Sequence, residues 1–325
     1  MRNFLSTHWK TLVAILVLVF VALLTLSPSA ASPDLPAQLR RHVEAVATVE
    51  HNTATPAELE RAARYIQSTL ERYGYAVTRQ EYKAGGAAVR NIEVSLANVA
   101  KGKRPERIFI VGAHYDSARG APGANDNGSG TAAVLELARL MRNVTPSPGT
   151  ELKFVFFVND EPPWFMGDDM GSMRHAQALH RERAPVHGAL VLETIGWYSN
   201  ERNSQRLPPG LEGRYPDTGN FIAFVGTRAS SALVGQALAA FRAASDFPAH
   251  GLAAPAYVQG VTLSDHSSYN RFGYPALMIT DTAFLRYPYY HTAEDTPDKL
   301  DYDSLARVVS GLAHTIGSLA GTTRS

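Results

Sequence analysis

The chain reads as an α/β protein, a three-layer α/β/α sandwich built around a mainly parallel mixed sheet. Two observations predict it. Short apolar runs alternate with helical segments through most of the 325 residues, the pattern of strands joined by crossover helices. The runs Ile108–Val111, Phe154–Val158, Ala189–Leu192 and Ala276–Ile279 are continuously apolar rather than alternating, as strands covered by helices on both faces require.

The elements follow in order. Arg2, His8 and Lys10 precede an apolar run from Thr11 to Leu26, and Ser27-Pro-Ser-Ala-Ala-Ser32 supplies small residues. Residues 1–32 therefore read as a signal peptide or an N-terminal membrane anchor, with membrane association through residues 11–26. The expected location is outside the cytoplasm, periplasmic, extracellular or membrane-anchored. Residues 33–325 are expected to form a single domain. Residues 33–55 lead into an amphipathic helix in which Thr55 is the N-cap, Pro56 the first helical position and Glu58 a capping-box glutamate. Leu59, Ala62, Ala63, Ile66 and Leu70 recur at helical spacing, and Gly74 ends the helix. Two β-like stretches follow, Tyr75–Tyr82 and Asn91–Val99. Further helical patterns lie at 129–143, 169–182, 229–244 and 301–319. The stretch 198–220 is the one long irregular segment, and a loop of that length in a compact domain is usually functional or disordered.

Composition narrows the chemistry. Lys+Arg 31 against Asp+Glu 30 leaves a net charge of +1. With no basic block, nucleic acid is not an expected partner. There are no cysteines, which excludes disulfides, thiolate metal sites and cysteine nucleophiles, so any metal must sit on His, Asp and Glu.

The residues that end the buried runs supply such donors. Ile108–Val111 runs into His114 and Asp116, Phe154–Val158 into Asp160 and Glu161, and Ala189–Leu192 into Glu193. Ligands bind beyond the carboxyl ends of strands in open α/β sheets, so three strands deliver oxygen and imidazole donors to one rim, a set that suits zinc. Any one of these pairs alone is more often a solvated turn. In Gly123-Ala-Asn-Asp126-Asn-Gly-Ser-Gly130, glycines and asparagines permit a sharp turn that presents Asp126 ahead of a helix. Tyr290-His291-Thr-Ala-Glu-Asp-Thr places a histidine in a polar loop before the last helix.

The ordered set His-Tyr-Asp-Ser, Gly-Ala-Asn-Asp-Asn-Gly-Ser-Gly, Asp-Glu, Glu-Thr-Ile-Gly, Ser-Asp-His-Ser and His-Thr-Ala-Glu-Asp-Thr resembles metallopeptidase family 28. That family includes two-zinc aminopeptidases, glutamate carboxypeptidase and glutaminyl cyclases. The likeness covers about residues 105–315. It implies two zinc ions, with His114 and Glu193 on one, Glu161 and His291 on the other, and Asp126 bridging them. Asp116 would fix the tautomer and aim of His114. Asp160 falls at the general base, Asp265 and His266 in a supporting motif, and Tyr290 at a position that in some members stabilises the oxyanion. Two positions depart from the commonest pattern. Glu193 replaces an aspartate, and Asp160 replaces a glutamate, shortening the base by one methylene, about 1.5 Å.

The resemblance thus implies a zinc exopeptidase, foremost an aminopeptidase acting on peptides with a free N-terminus, and residues 1–32 imply that it is exported. Its rivals are glutaminyl cyclisation on the same fold and a non-catalytic, envelope-anchored binding domain. Trp164, Phe165 and Met166, directly after the Asp-Glu pair and two prolines, are expected either to wall an apolar pocket or to pack the core. His8, His42, His51, His175, His180, His187, His250 and His314 are expected to be surface or satisfied structural residues.

Overall fold

The computed structural model describes residues 34–324. The segment read as a signal peptide or anchor lies outside them. No helix among the described residues is long and apolar enough to cross a membrane.

Among the described residues, ten strands and seven α-helices follow one another. They are α1 (Leu35–Val46), α2 (Pro56–Arg72), β1 (Thr78–Ala84), β2 (Ala87–Asn98), β3 (Arg107–His114), α3 (Gly130–Met141), β4 (Val144–Thr145), β5 (Thr150–Phe157), α4 (Gly171–Arg181), β6 (Val186–Glu193), β7 (Ile222–Thr227), α5 (Ser231–Ala244), β8 (Ala249–Ala254), α6 (His266–Arg271), β9 (Ala276–Thr280), α7 (Tyr302–Ala320) and β10 (Thr323–Arg324). Eight strands form one sheet in the order β1-β2-β5-β3-β6-β9-β7-β8. Its centre is parallel: β3 pairs with both β5 and β6, and β6 with β9. The β1/β2 and β2/β5 pairs and the β7/β9 pair are antiparallel, so the sheet is mixed at both sides.

Side chains alternate between the two faces along each strand. Ile108, Ile110, Val155 and Phe157 pack with Ala176 and Leu179 of α4 and Tyr269 of α6. The alternate residues meet the other helical layer, in which α1, α3, α5 and α7 contact one another. Gly112 marks how closely β3 and β5 approach: a Cβ there would lie 2.5 Å from the Phe157 ring and 2.9 Å from the Val155 carbonyl.

Several local expectations change. The two β-like stretches form one hairpin closed at Ala84↔Ala87, with Gly85 and Gly86 at φ +53° and +89°, the positive-φ turn that a two-residue hairpin needs. The lead-in segment contains α1, which buries Leu35, Leu39, Val43 and Val46. No capping box forms at α2. The Thr55 hydroxyl accepts from the Asn52 N–H (3.0 Å), and Glu58 pairs instead with Arg61 (2.6 Å). Strands β7 and β8 lie in regions the sequence reading left without strands. The 198–220 stretch is irregular as expected.

Candidate metal centre

Three parallel strands end at the same rim. His114 is the last residue of β3 and pairs in register with Phe157, the last of β5; Asp160 and Glu161 follow just beyond. Glu193 ends β6. Asp126 comes from the turn before α3, and His291 from the loop before α7. The structure brings all six together.

His114, Asp160 and Glu193 each place a donor atom within 4.8 Å of the others, and so do His114, Asp126 and Glu161. The His114 Nε2 lies 3.3 Å from both Asp126 Oδ1 and Glu193 Oε2, and 3.7 Å from Asp160 Oδ2. The His291 Nε2 lies 2.7 Å from Asp126 Oδ2 and 3.3 Å from Glu161 Oε1. Asp126 thus faces one imidazole with each oxygen. His291 is the most open member, its side chain 32% exposed, while His114 and the carboxylates are buried.

The surroundings of each residue sharpen or correct its expected role. The Asp116 carboxylate stands against His114, its Oδ1 3.6 Å from Nδ1. It accepts the backbone N–H groups of Asp160 (3.1 Å) and Glu161 (3.2 Å), aiming the acidic pair. The His114 Nδ1 also meets the Asp116 main-chain carbonyl at 3.0 Å, because the chain turns sharply after β3 and folds that carbonyl back. Asp265 is fully buried, and burial raises its carboxyl to about 6. His266 bonds the Val261 carbonyl at 2.7 Å, and burial lowers it to about 4; it supports the loop rather than the rim. Tyr290 stacks on His291 with ring centroids 3.8 Å apart. Burial, then the carboxylates of Asp126 and Glu193, raise its phenol, which stays a hydrogen-bond donor.

Sequence reasoning passed over two supports. Ser264 donates to Glu193 Oε2 at 2.7 Å. Asn127 accepts the N–H groups of Gly130 and Thr194, both at 3.1 Å, and donates to the Leu192 carbonyl at 2.8 Å, tying the Asp126 turn to the end of β6. Both lie inside the motifs, but nothing in their spacing showed which partner each would reach.

The donor set fits a cation. Burial raises Glu161 to about 7 and Glu193 to about 8, in each case with Asp126 as the next cause. Burial lowers His291, but the Asp126 and Glu161 carboxylates outweigh it and lift it to about 10. Like charges buried together are costly unless paired, and two imidazoles do not match four carboxylates. The His114 Nε2 and Asp160 Oδ1 are buried without a hydrogen-bond partner, which is where a metal ion would find free lone pairs.

Trp164, Phe165 and Met166 do not line the adjoining pocket. Trp164 bonds the Thr53 hydroxyl at 3.0 Å, and Met166 is exposed. The pocket is an open, mainly apolar depression beside Glu193 and Tyr290. Leu207, Leu211 and Tyr215 of the irregular stretch form one wall, and Ala223, Val225 and Met278 of the sheet form the floor. Alternation makes that floor: Phe224 turns away to meet Phe241 of α5 at 5.4 Å, leaving Ala223 and Val225 facing the pocket. His42 and His175 are structural, held by Glu136 at 3.1 Å and Glu93 at 2.8 Å.

Buried carboxylates and imidazoles gathered over the carboxyl ends of parallel strands, beside an apolar pocket, define a metal-binding hydrolase. The chain belongs to Peptidase family M28, which it matches over residues 95–316. It is 38% identical over 297 residues to an uncharacterized protein of Escherichia coli (strain K12), YfbL, covering 88% of each chain. It is 26% identical to leucine aminopeptidase 1 of Ajellomyces capsulatus over 73% of this chain and 61% of that one. Among solved structures, an aminopeptidase from Aneurinibacillus sp. strain AM-1 shares the fold with a TM-score of 0.64 at 17% identity, over 89% of this chain and 94% of that one. A glutaminyl cyclase of Fimbriiglobus ruber does so with a TM-score of 0.62 at 20% identity, over 88% and 96%.

Proposed function

We propose that the protein is an exported zinc aminopeptidase that removes apolar N-terminal residues from peptides. The observation that carries this reading is the pair of donor clusters sharing His114, opening onto an apolar pocket. His114 and Glu193 would hold one zinc, Glu161 and His291 the other, and Asp126 both. When bound, two zinc ions supply Lewis acidity, polarising the scissile carbonyl and making water a stronger acid.

The chain's own residues do the rest. The first side chain of the peptide enters the pocket, and its α-amine lies among the rim carboxylates, which favours a free N-terminus. Asp160, aimed by Asp116 through the N–H groups above, takes a proton from the attacking water and returns it to the leaving amine. Tyr290 donates a hydrogen bond to the carbonyl oxygen as it gains charge. The family and its named relatives support peptide hydrolysis, and the basic, apolar and small-residue order of residues 1–32 supports export.

Metal analysis of purified protein with turnover on a panel of aminoacyl amides tests the reading. About two zinc equivalents and preference for leucyl over glycyl amide are expected. Ala223→Leu, which fills the pocket floor, is expected to cut kcat/KM for leucyl amide at least tenfold while sparing alanyl amide. No bound transition metal, or no turnover of any amide, overturns the proposal. The cyclase-like fold supports a second reading: cyclisation of a glutaminyl peptide by protein holding a single zinc would establish that reaction instead. Export is checked by a C-terminal reporter active only outside the cytoplasm.

A further inference from the structure

We infer that Asp295 is a positioning residue that sets the bridging carboxylate, and that metal affinity on the His291 side depends on it; this rests on the metal reading above. Asp295 is fully buried in the loop between His291 and α7. It holds three consecutive amides of the turn that carries Asp126. The Ala124 N–H donates to its main-chain carbonyl at 3.1 Å. The Asn125 N–H donates to Oδ1 at 2.8 Å, and the Asp126 N–H to Oδ2 at 3.2 Å. The Tyr287 hydroxyl donates to Oδ1 at 2.7 Å, fixing the rotation of the carboxylate.

These contacts close a ring. The Asp295 N–H donates to the Thr292 carbonyl at 3.2 Å, which is next to His291, and the His291 Nε2 returns to Asp126 Oδ2 at 2.7 Å. The ring joins two segments about 165 residues apart in sequence, each of which brings a donor to the same place. His291 itself has φ +108°, a backbone state that an L side chain keeps only where surrounding contacts impose it. The Asp295 carboxylate grips the turn through the backbone amides of Asn125 and Asp126, leaving the oxygens of Asp126 free to face the imidazoles. Nothing else on the turn aims the Asp126 N–H, so a change at 295 moves the bridging carboxylate without touching a donor.

The test is Asp295→Asn, which keeps the shape but must present an NH₂ group to at least one of these donors. Zinc binding by competition with a chromophoric chelator, and the absorption spectrum of the cobalt-substituted protein, are compared with the parent. We expect the site shared with His291, and to a lesser degree the other, to weaken, the former at least about tenfold, the range found when partners of metal ligands are removed, and the cobalt spectrum to change. The chelated variant should keep the parent's circular dichroism. A purely structural role would lower the melting temperature of the chelated protein and leave both affinities and the spectrum unchanged, which overturns the inference. If Asp295→Asn does not fold, Tyr287→Phe decides, since it removes one donor from the same carboxylate: a weakened single site supports the role, and unchanged affinity and spectrum overturn it. Parent protein that binds no metal would refute the metal reading itself, a result separate from parent-like binding by the variants.

Discussion

Asp160→Asn should move activity and metal-free stability in opposite directions. The substitution exchanges one oxygen for an NH₂ at a buried side chain whose main chain is held independently by Asp116, so the backbone has no reason to shift. The Asp160 carboxyl is raised well above the usual carboxylate range, first by burial and then by Asp265, with Glu193 and Glu161 adding and His114 opposing. A folded-state pKa above the unfolded value of about 3.9 means that the native state prefers the protonated form. The associated stability is present below the unfolded value and is lost as the pH rises through the folded one, so near neutral pH this titratable group costs the unmetallated protein stability that asparagine, which does not titrate, does not cost. The chelated variant should therefore melt higher than the chelated parent, by about 2 °C for each kcal/mol relieved. Turnover should fall at least about a hundredfold, equivalent to about 2.7 kcal/mol of barrier and the low end of general-base contributions. The assay combines zinc content, turnover on leucyl amide and thermal melts with and without chelator. Glu161→Gln is the control and should lose metal. Full activity in Asp160→Asn, with Glu161→Gln holding two metals and inactive, would show the two roles reversed. Loss of one zinc equivalent by Asp160→Asn would make Asp160 a ligand, which its 3.7 Å approach to His114 Nε2 permits once a side chain turns.

Three further outcomes are expected. Chelation should abolish activity and lower the melting temperature; Asp126→Ala should disturb both metal equivalents, whereas His291→Ala, the most exposed donor, should weaken mainly one, read by metal analysis. The metal-free protein should lose stability as the pH rises from about 4.3 to about 8, because Glu161 and Glu193 are raised to about 7 and about 8 and keep in that window protons the unfolded chain has already lost; His291, raised to about 10, continues the loss with the same sign at higher pH. Thermal melts should show this slope flattened by zinc, and an unchanged slope would count against these groups being the ligands. Gly112→Ala should cost about 1–3 kcal/mol, since its Cβ would press on Phe157 and the Val155 carbonyl, measured by denaturant unfolding.

Much of the fold was legible because burial on both faces writes itself into sequence. Strands β3, β5, β6 and β9 appear as apolar runs, and α2, α3 and α7 as periodic patterns ended by glycine or by polar turns. The same criterion applied to Ile222-Ala-Phe-Val225 would have found β7, and Leu35, Leu39, Val43 and Val46 carry the spacing of α1. Strand β8 is different. Ala-His-Gly-Leu-Ala-Ala has no apolar run, because it is an edge strand whose state is set by pairing with β7.

The rim followed from one sequence-level rule, that residues ending buried parallel strands meet at one edge, and family likeness added the donors from the turn and the loop. What tertiary structure alone decided is how those donors are held and what lies beside them. The resemblance assigns Asp116 to His114, and its Oδ1 lies 3.6 Å from that ring; only the structure shows that the same carboxylate also accepts the Asp160 and Glu161 amides, which the pairing of β3 with β5 brings beside it. Trp164, Phe165 and Met166 are expected either to wall a pocket or to pack the core, and the pocket is lined without them by residues between Glu193 and Tyr290, brought together by the antiparallel β7/β9 pairing and by the irregular stretch. Sequence determines which groups are available and the strand ends that carry them, because burial and periodicity are local signals. Which groups touch depends on strand register and loop path, which are set by packing among residues far apart in the chain.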